Sequence, residues 1–112
     1  MKKNFKIRIY KKANDDIHEI REYIVNKYLD VYVAKIVIDR ITNDFYNILP
    51  FPNSYPAVRI NNNKYNIRKK VSGKYLIIFK YDVDLIDIVG VFHSKRLLKN
   101  ISKEILERIN SN

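Results

Sequence analysis

Cysteine and tryptophan are absent from the 112 residues. Without cysteine there is no disulfide, no thiolate zinc site and no cysteine nucleophile. Glycine is scarce: only Gly73 and Gly90 occur, so neither a G-x-G-x-x-G fingerprint nor a glycine-rich phosphate loop can be built. His18 and His93 are too far apart for an H-x-x-x-H pair. No apolar run approaches the ~18 residues of a membrane-spanning helix. The first residues, MKKNFKIRIYKK, open on lysines and then alternate apolar with charged positions, without the apolar core of a signal peptide. These absences predict a cytoplasmic protein with no membrane partner, no cofactor and no metal. Acid is missing too, from the whole stretch of residues 45–81.

The base that remains is abundant. Twenty-two Lys and Arg oppose twelve Asp and Glu, for a net charge of +10 and a pI near 9.8. Such a surface predicts a polyanionic partner, a nucleic acid or an acidic protein. The charge is divided along the chain. Residues 13–49 carry seven acids and four bases, a net of −3, whereas residues 45–81 carry seven bases alone: Arg59, Lys64, Arg68, Lys69, Lys70, Lys74 and Lys80.

The length fits one domain spanning residues 1–112. At 46% apolar and 30% charged it reads as globular. Phe5 to Tyr10 alternate as a half-buried strand does. Asn14-Asp15-Asp16 offers caps for a helix whose stripe is Ile17, Ile20, Ile24 and Tyr28. After a break near Leu29-Asp30, a second stripe follows at Ala34, Ile38, Ile41, Phe45 and Ile48, and Pro50 and Pro52 stop it. Strands are predicted over residues 65–71, 75–81 and 86–92, with turns at Ser72-Gly73 and Asp82-Val83-Asp84. A short helix over residues 101–109, with Ser102 as a cap, closes the chain. The expected class is α+β: an N-terminal strand, then a helical hairpin packed on an antiparallel sheet, in the order β-α-α-β-β-β plus a short helix.

Asp82, Asp84 and Asp87 lack the rest of a calcium loop and read as a polar turn. What remains chemically is the basic, aromatic strand region. Lysine and arginine neutralise phosphates, and tyrosine or histidine stacks on unpaired bases. RNA can be cleaved without a metal when one group takes the 2′-hydroxyl proton, cations stabilise the phosphorane and an acid protonates the leaving oxygen. Arg68 and Arg96 suit the charge, and His93 suits the proton transfer. Lys64, Lys69, Lys70, Lys74 and Lys95 suit positioning of RNA. His18, Tyr75 and Tyr81 read as surface or packing residues.

Several segments together resemble one family. Ala13-x-x-Asp16-Ile17-x-Glu19-Ile20-x-Glu22-Tyr23-Ile24 is similar to the first helix of the RelE/ParE toxin superfamily. So are Leu49-Pro50-Phe51-Pro52-x-Ser54-Tyr55-Pro56, Ile67-Arg68-Lys69, Lys74 to Phe79 as a central strand, and Val91 to Arg96 as a last strand end. The resemblance spans about residues 5–97. It implies the toxin half of a type II toxin–antitoxin pair, of the class tied to plasmid stabilization, with a co-encoded antitoxin as partner. Some members cleave mRNA on the ribosome, and others poison DNA gyrase. Arg68 and Arg96 match basic positions of the nuclease members, but Leu76 stands where those members carry an arginine. The expectation is growth inhibition by ribosome-dependent mRNA cleavage, with gyrase inhibition as the alternative.

Overall fold

A computed structural model describes residues 5–60 and 64–111; the leading Lys2 and Lys3 lie outside them. The alternating N-terminal segment forms β1 (Lys6–Ile9). Two helices follow, α1 (Lys11–Tyr28) and α2 (Val31–Asn47). A 3-10 turn at Pro52–Ser54 leads toward β2 (Ile67–Ser72), β3 (Tyr75–Asp82) and β4 (Leu85–His93), and α3 (Leu98–Ser111) ends the fold.

α1 starts earlier than Asn14-Asp15-Asp16 predicts, because the strand runs directly into it. The Tyr10 N–H still bonds the Ile88 carbonyl of the sheet at 3.0 Å, while the Tyr10 carbonyl already accepts the Asn14 N–H at 3.1 Å. Asp16 is thereby released from capping. The break between the helices falls as predicted. Leu29 takes the left-handed conformation (φ 53°) and donates its N–H to Val25, and the Asp30 carboxylate then caps α2 through the Tyr32 N–H at 2.8 Å.

The sheet order is β1-β4-β3-β2. β2, β3 and β4 form the expected antiparallel meander, whereas β1 joins β4 in parallel. A parallel pair needs a long connection, and the helical pair and two hairpins that separate β1 from β4 in the chain supply it. A bulge leaves Val89 between the Ile78–Gly90 and Phe79–Ile88 pairs.

Strand alternation divides the sheet into two faces. Tyr75, Ile77, Phe79 and Tyr81, with their register partners His93, Val91, Ile88 and Ile86, share the face toward the helical hairpin. Ala34, Ile41, Phe45 and Ile48 of the α2 stripe are fully buried, whereas Ile38 is half-buried. In the α1 stripe Ile20 and Ile24 are buried, and Tyr28 turns out exposed. The other face carries Leu76, Ile78, Gly90 and Phe92 toward α3. α3 buries Ile101, Ile105 and Ile109 as expected but begins sooner, at Leu98. Ser102 is therefore inside the helix, not its cap, and its hydroxyl donates back to the Leu98 carbonyl at 2.6 Å.

Candidate functional site

β4 is longer than β1, so among the described residues no strand lies beside its outer edge beyond Ile9. Two side chains take the strand's place. Asp16 of α1 accepts the Val91 N–H at 2.9 Å, and Arg108 of α3 donates to the Val89 carbonyl at 3.2 Å. The two also form a bidentate pair at 2.6 and 3.0 Å, and Glu104 adds a bond to Arg108 at 3.0 Å. Burial opposes the charge on Arg108, but its bonds to Asp16 and its attraction to Asp16 and Glu104 outweigh that, and its affinity for the proton is raised. The guanidinium passes over Gly90, where a Cβ would stand 2.5 Å from it and 2.7 Å from the Phe92 ring. Glycine is required there by close approach.

A cleft of about 940 Å³ opens around this joint, between α1, the end of β4 and α3. Asp15, Glu19, Glu104 and Glu107 line it against Lys12 and Arg96, and His93 stands at its inner wall. Arg96 packs over the Phe92 ring at 5.3 Å and meets Glu104 at 3.4 Å.

A second cavity, of about 410 Å³, lies on the other side of His93. It is walled by the end of α1, the start of α2, the β2–β3 turn and the loop after β4. Lys74 and Lys95 reach it from the two loops, Lys27 and Arg40 from the helices. Tyr23, Tyr28 and Tyr75 supply aromatic wall. His93 packs edge-on against Tyr75 at 5.5 Å, and its Nδ1 accepts the Lys95 N–H at 3.1 Å. The Lys27 ammonium is raised above the ordinary lysine value by the Tyr23 hydroxyl first and Tyr28 after it. Burial pushes the Tyr75 phenol up, with Tyr23 and Tyr28 adding to it.

The remaining predicted residues lie elsewhere. Arg68 donates to the Tyr55 carbonyl at 2.6 Å, the Asn53 carbonyl at 3.2 Å and the Asn66 side chain at 3.2 Å, pinning the 53–55 segment to β2. Lys70 sits over the Tyr55 ring at 4.8 Å and pairs with Asp44 at 3.8 Å. Lys69 is half-buried on β2, and Lys64 is exposed beside Tyr65. Arg68 is paired with Phe79, and His93 with Tyr75. That register puts them roughly 13 Å apart along the strands and ~10 Å apart across them. The structure thus unites His93 with Arg96 on one side and with Lys74 and Lys95 on the other, and separates Arg68 from all four. The three turn acids also part. Asp82 and Asp84 stay exposed, while Asp87 is buried beneath Arg8, Lys80 and Tyr10.

Sequence reasoning passes over Lys27 and Arg40, which sit in the net-acidic helical segment and read there as counter-charges. It also passes over Arg108 and uses Asp16 only as a cap. The available signal was a charged residue at a buried position of the α3 stripe, since Arg108 follows Ile101 and Ile105 at helical spacing.

A family model described as the ParE toxin of type II toxin–antitoxin systems, parDE, matches residues 7–98. The chain belongs to the ParE toxin family. Among solved structures, this ParE-family chain is similar to one described as the chromosomal ParDE toxin–antitoxin system from P. aeruginosa. The TM-score is 0.67 at 15% identity, over 81% of this chain and 97% of that one. At that identity the likeness carries the fold. Comparison with curated proteins finds no match. In this ParE-family toxin Leu76 is buried on the α3 face, opposite the face that carries Arg68. No helix among the described residues is long and apolar enough to cross a membrane.

Proposed function

We propose that this toxin arrests growth by binding rather than by catalysis, with DNA gyrase as its target and a cognate antitoxin as its restraint, acting in the cytoplasm. The observation that carries this reading is the dispersal of the nuclease set. Phosphoryl transfer needs its cations and its proton-transfer group around one reacting atom. Here Arg68 is spent on the Tyr55 and Asn53 carbonyls, and His93 lies near the far end of the sheet. Leu76 supplies no charge near the start of β3. The hairpin supports a protein partner: Leu29, Val31, Tyr32 and Ile36 are exposed apolar residues around its turn, and such patches mark interaction surfaces.

Purified gyrase supercoiling relaxed plasmid tests the reading. Wild type and His93→Ala are expected to inhibit supercoiling alike, and antitoxin to reverse both. Unchanged supercoiling at saturating toxin counts against it. Ribosome-dependent mRNA cleavage is the second reading, favoured by one observation: His93 and Arg96 line the same cleft. On that reading His93→Ala abolishes toxicity.

A further inference from the structure

The smaller cavity carries an inference that does not depend on which target the toxin hits. We propose that it binds a nucleoside phosphate, the phosphate held among Lys27, Arg40, Lys74 and Lys95 and the base laid on the tyrosine wall.

These four cations come from four separate places in the fold, α1, α2, the β2–β3 turn and the loop after β4, and no acid among the described residues lines the cavity with them. Exposed lysines elsewhere pair along their own helices, as Lys11 does with Asp15, Lys35 with Asp39 and Lys103 with Glu107. The side chains of Arg40, Lys74 and Lys95 have no ion pair or hydrogen bond among the described residues. A positive lining of this kind is answered by a bound anion. A phosphate answers such a ring better than a single carboxylate, since it offers more charge and more acceptor oxygens.

Ser72 is 2% exposed, lines the cavity, and its hydroxyl has no hydrogen-bond partner among the described residues. A buried polar group left unsatisfied calls for a reason, and an absent acceptor is one. The next residue, Gly73, has φ +58°, and a Cβ there would come within 2.9 Å of Arg40 Nη1. Glycine lets the turn adopt this conformation and lets the Arg40 guanidinium lie close against it.

Tyrosines complete the wall. Tyr23 and Tyr28 flank Lys27 at 5.6 and 5.4 Å, and Tyr75 backs onto His93. Rings interleaved with cations favour a base attached to the phosphate over an acidic peptide, because every base offers a face to stack. The volume, about 410 Å³, falls within the range of small-molecule sites.

The full-length toxin is titrated by calorimetry and by amide NMR with adenosine 5′-monophosphate, inorganic phosphate, adenosine, a single-stranded pentaadenylate RNA and tetraglutamate. The expected result is that the monophosphate binds about tenfold more tightly than phosphate or adenosine alone. Amide shifts should concentrate at Ser72, Gly73, Lys74, Ser94 and Lys95. Arg40→Gln and Lys95→Gln, both at exposed positions that spare the fold, should each weaken binding about tenfold, while Lys103→Gln on α3 should not. Ser72→Ala should weaken it a few-fold without lowering Tm. Tighter binding of the RNA with the same shifts would make a nucleic acid strand the source of the nucleotide; tighter binding of the monophosphate would make it a free nucleotide. The proposal is overturned if the monophosphate binds no better than phosphate, if Lys103→Gln weakens binding as much as Arg40→Gln, or if tetraglutamate displaces the monophosphate.

Discussion

Arg108 and Arg40 are both set against the end of the sheet, in opposite electrostatic company. Arg108 is 8% exposed and closes the β4 edge through Asp16, Glu104 and the Val89 carbonyl. Arg40 is exposed, lies across the Gly73 turn and meets no carboxylate among the described residues. A charge taken out of water must be matched within the fold, so Arg108 is part of what holds the toxin together. A charge left in water needs no such match and can be kept for something that arrives from outside. The difference separates structural charge from recognition charge in a chain of net +10.

Breaking the structural side should have the largest effect. Arg108→Ala leaves Asp16 partly buried without its partner and should cost about 3–5 kcal/mol in urea unfolding. The loss should shrink when Asp16→Asn is added, since the two act as one unit. Gly90→Ala comes next, at about 1–3 kcal/mol, because the added methyl meets Arg108 and Phe92. That cost should fall in the Arg108→Ala background, where one of the two obstacles is gone.

A pH series sharpens the same side. The Tyr10 phenol is pushed up to about 12, by burial first and by the nearby Asp87 carboxylate second. The folded chain therefore holds this proton more tightly than the unfolded chain does. Its contribution is complete below the ordinary tyrosine value of about 10 and is lost as pH rises through about 12. Tyr10→Phe should flatten that part of the stability curve. On the recognition side, Arg40→Gln should move stability by no more than about 0.5 kcal/mol. A loss like that of Arg108→Ala would erase the distinction.

The helical hairpin and the three-strand meander were legible because their signals are local. The stripe through Ala34, Ile41, Phe45 and Ile48, the turn at Gly73 and the break at Leu29-Asp30 each depend on near neighbours. The parallel placement of β1 was not legible, since it follows from pairing Lys6 with Leu85 across the helical crossover. Nor was the true start of α1, where a sheet hydrogen bond at Tyr10 overrides the better cap at Asn14. The candidate site suffered most. Its residue types were visible on the strands, and His93, Lys74 and Lys95 do converge. Arg68 faced the same backbone carbonyls a loop would otherwise leave to water, which no spacing announces. Lys27 and Arg40 joined from helices whose acids masked them, and Asp16 and Arg108 meet from 92 positions apart.

The claim that this ParE-family toxin binds rather than cuts is tested most directly in growing cells. Wild type and Arg68→Ala/His93→Ala are induced, and transcript 5′ ends are mapped within minutes alongside plasmid supercoiling. The account predicts growth arrest with intact transcripts and lost negative supercoiling. Cuts within codons that vanish in the double variant would contradict it and restore the nuclease.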